Sequence, residues 1–315
     1  MMEEKLTLGC DPELFLWRDG RLLPAWEVLP HKNERRGFFW DGFQAEFLVS
    51  PASSPGGLVS GIRDGLATLR SAAGGASLKV LDCLEVEPSM LEGLAEEYVA
   101  LGCDPSINVY GDRGQLPANP RDLPLRFAGG HIHFGSGKLR TSINQKRAAA
   151  MLVMDLDKVL GVWSVGAAAA AEPLKARRLF YGLAGEMRVP EWGAEYRVLG
   201  NFWLGHPRVA RLVLEMAGAV YEAHLSGWMK SWLGDSDVVK YVINEYDVEK
   251  AREMLLLNEK LFVFLLNKVI TPEAAQAALQ AGLVGLENVV PEPFAVERNW
   301  LLDNLEVPCQ SVWGG

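Results

Sequence analysis

Four short segments of the chain carry polar or charged residues two positions apart. They are Asp11-Pro12-Glu13, Gln44-Ala45-Glu46, His131-Ile132-His133 and Glu195-Tyr196-Arg197. In a β-strand, side chains two apart point to the same face, so each segment can aim both of its outer groups at one surface. Carboxylates gathered on one face repel each other and lose hydration, and a bound cation offsets both costs. The pattern therefore predicts a divalent metal site.

Each segment also has a simpler interpretation, because alternating polar residues are typical of a strand that faces solvent. The neighbouring residues Leu14, Phe47, Phe134 and Val198 are ones that belong in a protein core, which favours a buried site instead. A ligand set rich in oxygen, with two imidazoles at most, suits Mg²⁺ or Mn²⁺ better than zinc.

His131 and His133 stand in the stretch Gly129-Gly130-His131-Ile132-His133-Phe134-Gly135, and the chain has only five histidines. A single buried histidine is more often a hydrogen-bonded core residue than a ligand. Two histidines on one strand face, with glycines that permit close backbone approach, favour a site. The other three have ordinary settings: His31 in a polar loop, His206 before a proline, and His224 on a helix.

Basic residues are concentrated between Lys175 and Arg197 in an otherwise acidic chain. Lys175 and Arg177 are typical of a solvated helix end. Arg178, Arg188 and Arg197 lie among glycines and aromatic residues and are candidates for binding phosphate oxygens. A metal ion together with arginines is typical of sites that catalyse phosphoryl transfer. A G-x-x-x-x-G-K-[ST] loop and a G-x-S-x-G turn are both absent from the sequence, which argues against a P-loop enzyme and a serine hydrolase.

The ordered motifs resemble those of the phage-type carboxylate-amine ligases, type 2. These ligases look like distant relatives of glutamine synthetase and glutamate-cysteine ligase. The resemblance covers roughly residues 7 to 205. It rests on Gly9-Cys10-Asp11-Pro12-Glu13, Gln44-Ala45-Glu46, Gly130-His131-Ile132-His133-Phe134-Gly135, Tyr181-Gly182 with Gly185-Glu186 and Arg188, and Glu195-Tyr196-Arg197 with Leu199-Gly200-Asn201-Phe202-Trp203.

This resemblance implies a curved antiparallel sheet whose concave face binds ATP with Mg²⁺ or Mn²⁺. The implied metal ligands are Asp11, Glu13, Glu46, His131 and Glu195. Nucleotide binding is implied for Arg178, Arg188, Arg197 and His133, and a catalytic role for Arg197, Glu46 and His133. The first acid is Asp11 where the relatives usually have Glu, and Asp41 is the candidate for a further acid upstream of the Gln-x-Glu segment.

The function implied is that of an ATP-dependent carbon-nitrogen ligase, an amidoligase. It would activate a carboxylate as an acyl phosphate, release ADP, and join the acyl group to an amine. The substrates would be amino acids, peptides or protein side chains. Two alternatives remain open at this point: a metal-dependent hydrolase that uses the His131/His133 pair, and a non-catalytic binding protein with the same fold.

The composition limits the partners and the compartment. The net charge of −9 and the pI near 5.2 argue against broad contact with nucleic acid or anionic lipid. The four cysteines form no C-x-x-C pair, which favours reduced thiols. No apolar run reaches the length of a membrane span. We therefore expect a cytoplasmic protein, located in the host cytoplasm if a phage encodes it.

The elements that must position these residues occur in blocks rather than in strict strand-helix alternation, which favours an α+β fold. Strand patterns cover Lys5–Trp17, Phe38–Val49, Ser77–Val86, Phe127–Phe134 and Glu195–Trp203, with a hairpin turn at Asp19-Gly20. Helix patterns cover Leu58–Ala73, Asn144–Val162, Pro207–Ser226 and Asp237–Lys260, and another helix begins at Thr271-Pro272. We expect one catalytic domain over residues 1–315, with a sheet-containing core at 1–235 and a mainly helical part at 236–315.

Overall fold

The computed structural model describes residues 5–32, 37–101, 106–140, 144–169 and 173–302. Its strands are β1 Thr7–Cys10, β2 Glu13–Arg18, β3 Arg21–Leu23, β4 Phe38–Asp41, β5 Gln44–Phe47, β6 Val49–Ala52, β7 Ser77–Lys79, β8 Cys83–Glu85, β9 Ile107–Asn108, β10 Leu125–Phe127, β11 Ile132–Gly135, β12 Glu186–Arg188 and β13 Gly193–Tyr196. The helices are α1 Pro55–Ala72, α2 Glu96–Val99, α3 Gly137–Arg140, α4 Gln145–Leu156, α5 Val162–Ala167, α6 Pro173–Arg178, α7 Pro207–Ser226, α8 Ser236–Asn244, α9 Val248–Leu257, α10 Glu259–Leu266, α11 Pro272–Val284 and α12 Val296–Asn299.

The strands pair antiparallel and form curled sheets, so the predicted α+β class is confirmed. The largest sheet has the order β6-β1-β11-β13-β12-β9. A second sheet contains β3, β2, β5 and β4, with β7 also paired to β2, and β8 pairs with β10. The chain leaves the first sheet at Cys10 and enters the second at Glu13, so only Asp11 and Pro12 separate the two sheets.

One face of the six-stranded sheet packs against helices. Leu8, Phe134 and Ala194 occupy paired positions in β1, β11 and β13, and all three are buried in the main core. Helices α1, α4 and α7 cover this face. Because side chains alternate along a strand, the residues between these three point to the opposite face. That opposite face carries His133 and Glu195.

Helix α1 packs closely against the strands that precede it. A Cβ atom added to Gly65 would lie 2.4 Å from the ring of Phe47, and one added to Gly61 would lie 2.7 Å from Val49. Small residues on this side of α1 therefore let it lie directly on β5 and β6. Ser54 caps the helix by accepting a hydrogen bond from the Gly57 N–H, and Pro55 occupies the first helical position.

Several predicted elements are confirmed, and others are shorter than the sequence suggested. Asp19 and Gly20 form the hairpin turn between β2 and β3 with φ of 51° and 76°. Helix α7 begins at Pro207 and ends at Ser226 as predicted. The pattern at Asp237–Lys260 is divided, because Tyr246 has φ of 53° and Asp247 caps a new helix by accepting from the Lys250 N–H.

The strand predicted at Phe38–Val49 contains two strands, β4 and β5, joined by a tight turn. Three further predicted strands are also wrong in extent. Ser77–Val86 contains two short strands rather than one, and Phe127–Phe134 is interrupted between β10 and β11. Glu195–Trp203 leaves the sheet after Tyr196 and ends in a short 3-10 helix at Phe202–Gly205. Asn201, in the segment that follows the strand, is held by its side-chain amide, which donates to the carbonyls of Glu13 and Leu81.

The described strands all precede α7, and α8 to α12 follow it within residues 236–302. These helices share the main core with the sheet. The Trp163 indole N–H of α5, for example, donates to the carbonyl of Ala278 in α11 at 2.8 Å. The division of the chain at residue 235 stays a prediction.

Candidate functional site

The polar residues predicted from the sequence form a row across the six-stranded sheet. His133 pairs with Gly9 in β1 and with Glu195 in β13, and Glu195 pairs in turn with Arg188 in β12. Directly paired residues of antiparallel strands share a face, so the three side chains lie next to one another. We call the surface that they form with Asp11, His131 and Arg197 the polar face.

Asp11 joins the two histidines at the end of β1. Its Oδ1 atom lies 3.2 Å from His133 Nε2 and 3.4 Å from His131 Nδ1. His131 Nδ1 is also 3.6 Å from Glu195 Oε1. Asp11, His133 and Glu195 each offer an atom able to bind a metal, and these three atoms lie within 4.8 Å of one another. Such a triad is a geometry in which one cation can contact all three side chains.

The charges of this group act on each other strongly. Burial alone would raise the pKa of Asp11, but the neighbouring His133 and His131 outweigh it and hold that pKa well below its usual range. Burial would likewise lower the pKa of His133, and the Asp11 carboxylate raises it instead. Asp11 is therefore ionised at neutral pH, and it favours protonation of His133 as long as no metal competes for the same nitrogen.

Glu13 and Glu46 form a second acidic group, on the second sheet. They are directly opposite each other in β2 and β5, and their exposed fractions are only 4% and 8%. Glu13 Oε2 accepts a hydrogen bond from the Gly129 N–H at 2.6 Å. Burial raises the pKa of both glutamates, and the charge of Asp11 raises both further. The charge of Asp41, the upstream candidate acid, acts on both in the same direction.

Asp11 and Glu13 were expected to share a strand face, and that detail is wrong. The first sheet ends at Cys10 and the second begins at Glu13, so Asp11 lies in the two-residue link between them. The two acids still lie near each other, since the charge of Asp11 raises the pKa of Glu13. The solvent-facing interpretation of the four segments is also wrong, since Glu13, Glu46, His131, Glu195 and Arg197 are all buried.

The two arginines of the polar face differ in their surroundings. Arg197 is fully buried, its Nη1 contacts Glu195 Oε1, and its Nε–H donates to Ser106 Oγ at 2.9 Å. Arg188 keeps 28% of its side chain exposed and lies 4.0 Å from Glu195 Oε2. Arg197 is thus fixed in position, whereas Arg188 can reach a ligand that approaches from solvent.

Arg178 is not brought to the polar face. It is 2% exposed, and its Nη1–H donates to the carbonyl of Val198 at 2.6 Å. Its charged neighbours are Arg177 and Asp82, together with the hydroxyls of Tyr246 and Tyr196, and Tyr196 points to the face opposite Glu195. The guanidinium of Arg178 is therefore hydrogen-bonded within the core and is not part of the polar face.

The glycines beside His131 have a packing role that the sequence did not reveal. A Cβ atom on Gly130 would lie 2.4 Å from Trp203 Nε1 and 2.5 Å from the carbonyl oxygen of Gly200. One on Gly129 would lie 2.2 Å from the ring of His131. These contacts with the protein itself account for both glycines, so the glycines do not by themselves indicate close approach of a ligand.

Two features of the site lay outside the sequence prediction. The Trp192 ring contacts His133 at a tilt of 38° with ring centroids 4.9 Å apart, and no spacing pattern marks this residue in advance. Behind the polar face, the Tyr196 hydroxyl donates to Asp157 Oδ1 at 2.8 Å. Asp157 is fully buried in a π-helical turn at Asp157–Gly161. Its hydrogen bond fixes Tyr196, the residue between Glu195 and Arg197.

Residues 122–246 match the family model described as phage phiEco32-like COOH.NH2 ligase-type 2. The predicted family resemblance is confirmed. The segment similar to the COOH.NH2 ligases contains His131, His133, Arg188, Glu195 and Arg197, and it begins after Asp11, Glu13 of β2 and Glu46 of β5. The match supports a carboxylate-amine ligase in general. No curated protein matches the chain. Within the described ranges, every helix is too short or too polar to span a membrane.

Proposed function

We propose that this protein is an ATP-dependent carboxylate-amine ligase that forms ADP and proceeds through an acyl phosphate. The observation that carries the proposal is the convergence of Asp11, His133 and Glu195 beside Arg197 on one sheet face. Acids that bind a cation, next to a fixed guanidinium, provide the positioning and charge neutralisation that phosphoryl transfer requires. The match to the COOH.NH2 ligases supports the same class of reaction.

The donor atoms fit Mg²⁺ or Mn²⁺. Asp11 Oδ1, His131 Nδ1 and His133 Nε2 are buried, and each histidine nitrogen lies within 3.4 Å of Asp11 Oδ1, but among the described residues none of the three atoms makes a hydrogen bond of normal geometry. Buried polar atoms are normally satisfied, so three such atoms within one group indicate a cation that they coordinate. Asp11, His133 and Glu195 would hold it, with His131 beside them, and Glu13 and Glu46 would hold another. When bound, the cations would neutralise the phosphate charge of the nucleotide.

The residues of the chain would then act on the substrates. Arg197 and Arg188 bind oxygens of the transferring phosphoryl group, and Glu195 keeps Arg197 in place. A carboxylate oxygen of the acid substrate attacks the γ-phosphorus, and the bond to the β-phosphate oxygen breaks to release ADP. The amine then attacks the acyl carbon, phosphate leaves, and the amine gives up one proton to a base. The new bond is an amide.

The histidine-based hydrolase gains no support from the arrangement. His206 caps α7 by accepting a hydrogen bond from the Arg208 N–H, and His224 contacts Asp155 at 2.8 Å. Neither belongs to the group formed by His131 and His133. A hydrolase of that class draws on further histidines, so the ligase is the better account of the polar face.

Nucleotide analysis tests the proposal. Purified protein is incubated with ATP and Mg²⁺ or Mn²⁺ while amino acids, polyamines and peptides are screened as acid and amine substrates. We expect formation of ADP and phosphate that depends on both the metal and a substrate pair. AMP and pyrophosphate would indicate adenylation and contradict the acyl phosphate, and hydrolysis without ATP would contradict the ligase.

A matched pair of variants makes the test specific. Glu13→Gln should lower the rate by at least about two orders of magnitude, because it removes a carboxylate from the proposed cation site. Glu215→Gln alters a glutamate that is also buried and also has a pKa raised by burial, but that lies on α7 and pairs with Arg211 at 2.7 Å. This control should keep the wild-type rate. Equal losses in the two variants would point to a general effect of buried glutamates.

A further inference from the structure

The described part of the chain contains four arginines whose side chains are fully buried, and one of them has no acidic neighbour. Arg197 contacts Glu195. Arg177 and Arg178 both lie near enough to Asp82 to lower its pKa against the effect of burial. Arg126 is also fully buried. Burial lowers the pKa of Arg126 to about 10, and among the described residues no charged group acts on it in the opposite direction.

The guanidinium of Arg126 is held by one of its three nitrogens. Nη1 donates to the carbonyls of Leu123 and Leu125, each at 2.7 Å. The ring of Phe43 lies beside the group, 5.3 Å from its central carbon. Nε and Nη2 are buried, and within the described ranges they have no hydrogen-bond partner. A buried charge normally has a counter-ion and satisfied donors, so this half of the guanidinium is suited to a ligand.

The two unsatisfied nitrogens form one edge of the planar guanidinium. The N–H groups of Nε and Nη2 point in nearly the same direction, and this fork matches the two oxygens of a carboxylate or the paired oxygens of a phosphate. Because Nη1 is fixed by two backbone carbonyls, the direction of the fork is fixed as well. The site is therefore preorganised for a planar, bidentate contact.

Arg126 lies close to the proposed catalytic residues along the chain, and its guanidinium lies beside Phe43, which directly precedes the strand that carries Glu46. Strand β10 leads directly into Gly129, whose N–H donates to Glu13, and then into His131. Phe43 lies in the turn between β4 and β5, next to Gln44. Gln44 is 1% exposed, and both polar atoms of its amide also have no hydrogen-bond partner in the described part of the chain. A second buried, unsatisfied polar side chain thus lies on the strand that carries Glu46.

We propose that Arg126 binds a pair of oxyanion oxygens of a ligand through its Nε and Nη2 edge. The oxygens belong to a carboxylate of the acid substrate or to a phosphate of the nucleotide. The identity of these two ligands rests on the proposed function, whereas the anion contact follows from Arg126 itself. In the first case Arg126 selects acids that carry a carboxylate besides the one that reacts.

Binding measurements by calorimetry test the proposal without any turnover. One arm uses Mg-ADP, and the other uses acetate, succinate, glutarate and glutamate. Arg126→Lys keeps the positive charge and removes the fork, and Arg126→Gln removes the charge. Arg121→Gln is the matched control, since Arg121 also donates to a backbone carbonyl, that of Leu94, from the same segment. Thermal unfolding of each variant verifies that it is folded.

We expect both Arg126 variants to bind the ligand of one arm about 10- to 100-fold more weakly, because two charge-assisted hydrogen bonds are lost. A loss limited to a dicarboxylate assigns the anion to the acid substrate, and a loss limited to Mg-ADP assigns it to the nucleotide. The Arg121→Gln variant should bind as the wild type does. Wild-type affinity for both ligands in the Arg126→Lys variant would overturn the proposal, as would a wild-type protein that binds neither.

These results are separable from those on the ligase reaction. A protein that turns over no ATP but loses carboxylate binding through Arg126→Lys keeps this inference and loses the proposed function. A protein that forms ADP normally with Arg126→Lys, and binds both ligands with wild-type affinity, keeps the proposed function and loses this inference.

Discussion

Replacing Glu46 with glutamine should stabilise the metal-free protein and weaken its response to Mg²⁺. Glu46 is directly opposite Glu13, and both side chains are almost fully buried. Paired side chains of antiparallel strands are about 5 Å apart. Two like charges at that distance repel by about 3 kcal/mol at an effective dielectric constant of about 20. Glutamine has nearly the same shape and removes this repulsion.

We expect Glu46→Gln to raise the free energy of unfolding by about 1–3 kcal/mol at pH 7 in the presence of a chelator. Burial and the charges of Asp11 and Glu13 raise the pKa of Glu46, so its cost is present at neutral pH and disappears as the pH falls toward the unfolded-state value. Wild-type stability should therefore increase on mild acidification more than the stability of the variant. Urea denaturation measured at several pH values reports both effects.

In excess Mg²⁺ the wild type should be more stable than the Glu46→Gln variant. A cation that binds only the native state stabilises it, and the wild type has one more ligand for that cation. The reasoning is refuted if Glu46→Gln is less stable than the wild type in chelator, or if Mg²⁺ stabilises both proteins equally. Glu215→Gln is the control here as well, because it breaks the contact with Arg211 and should leave the Mg²⁺ response unchanged.

Four further substitutions test separate parts of the polar face and of the structure that supports it. Glu195→Gln should lose activity that higher Mg²⁺ partly restores, whereas Arg197→Lys should lower kcat without any such recovery. Steady-state kinetics at several Mg²⁺ concentrations measure this difference, and identical dependence on Mg²⁺ in the two variants would mean that both residues have the same role. Burial raises the pKa of Asp157 to about 7, so the native protein keeps this proton between pH 4 and 7 and loses stability as the pH rises through that range. Asp157→Asn should remove up to about 4 kcal/mol of this pH dependence from the free energy of unfolding, and an unchanged pH profile would contradict the raised pKa. Gly130→Ala should destabilise the protein by about 1–3 kcal/mol in urea denaturation because of its contacts with Trp203 and Gly200, and a neutral effect would show that the segment can shift.

The sequence was sufficient for the polar face because that face depends on short-range periodicity. Residues two apart in β5 and near β11 and β13 share a face whatever the rest of the fold does. The prediction was weakest where long-range contacts decide the result. Pro12 breaks the strand between Asp11 and Glu13, and nothing local to that segment shows that the two halves join different sheets.

Arg178 and Arg126 show the same limit from opposite directions. The sequence placed Arg178 among phosphate-binding candidates because it lies near glycines and aromatic residues, and the structure places it beside Asp82 in the core. The sequence does not predict a role for Arg126, since a single arginine between Leu125 and Phe127 matches no motif. Only the absence of an acidic neighbour within the described fold distinguishes it from the other buried arginines, and this is a property of packing.

The separation of the acids between two sheets bears on the number of cations. Asp11, His133 and Glu195 form one group, and Glu13 with Glu46 forms another. A single cation in the first group leaves the repulsion in the second uncompensated. The charge of Asp11 acts on both groups, and Asp11 lies where the chain passes from one sheet to the other. We infer two cations with Asp11 between them, and Mn²⁺ titration followed by electron paramagnetic resonance should count about two ions for the wild type and about one for Glu46→Gln. A count of one in both proteins would place all the acids around a single ion.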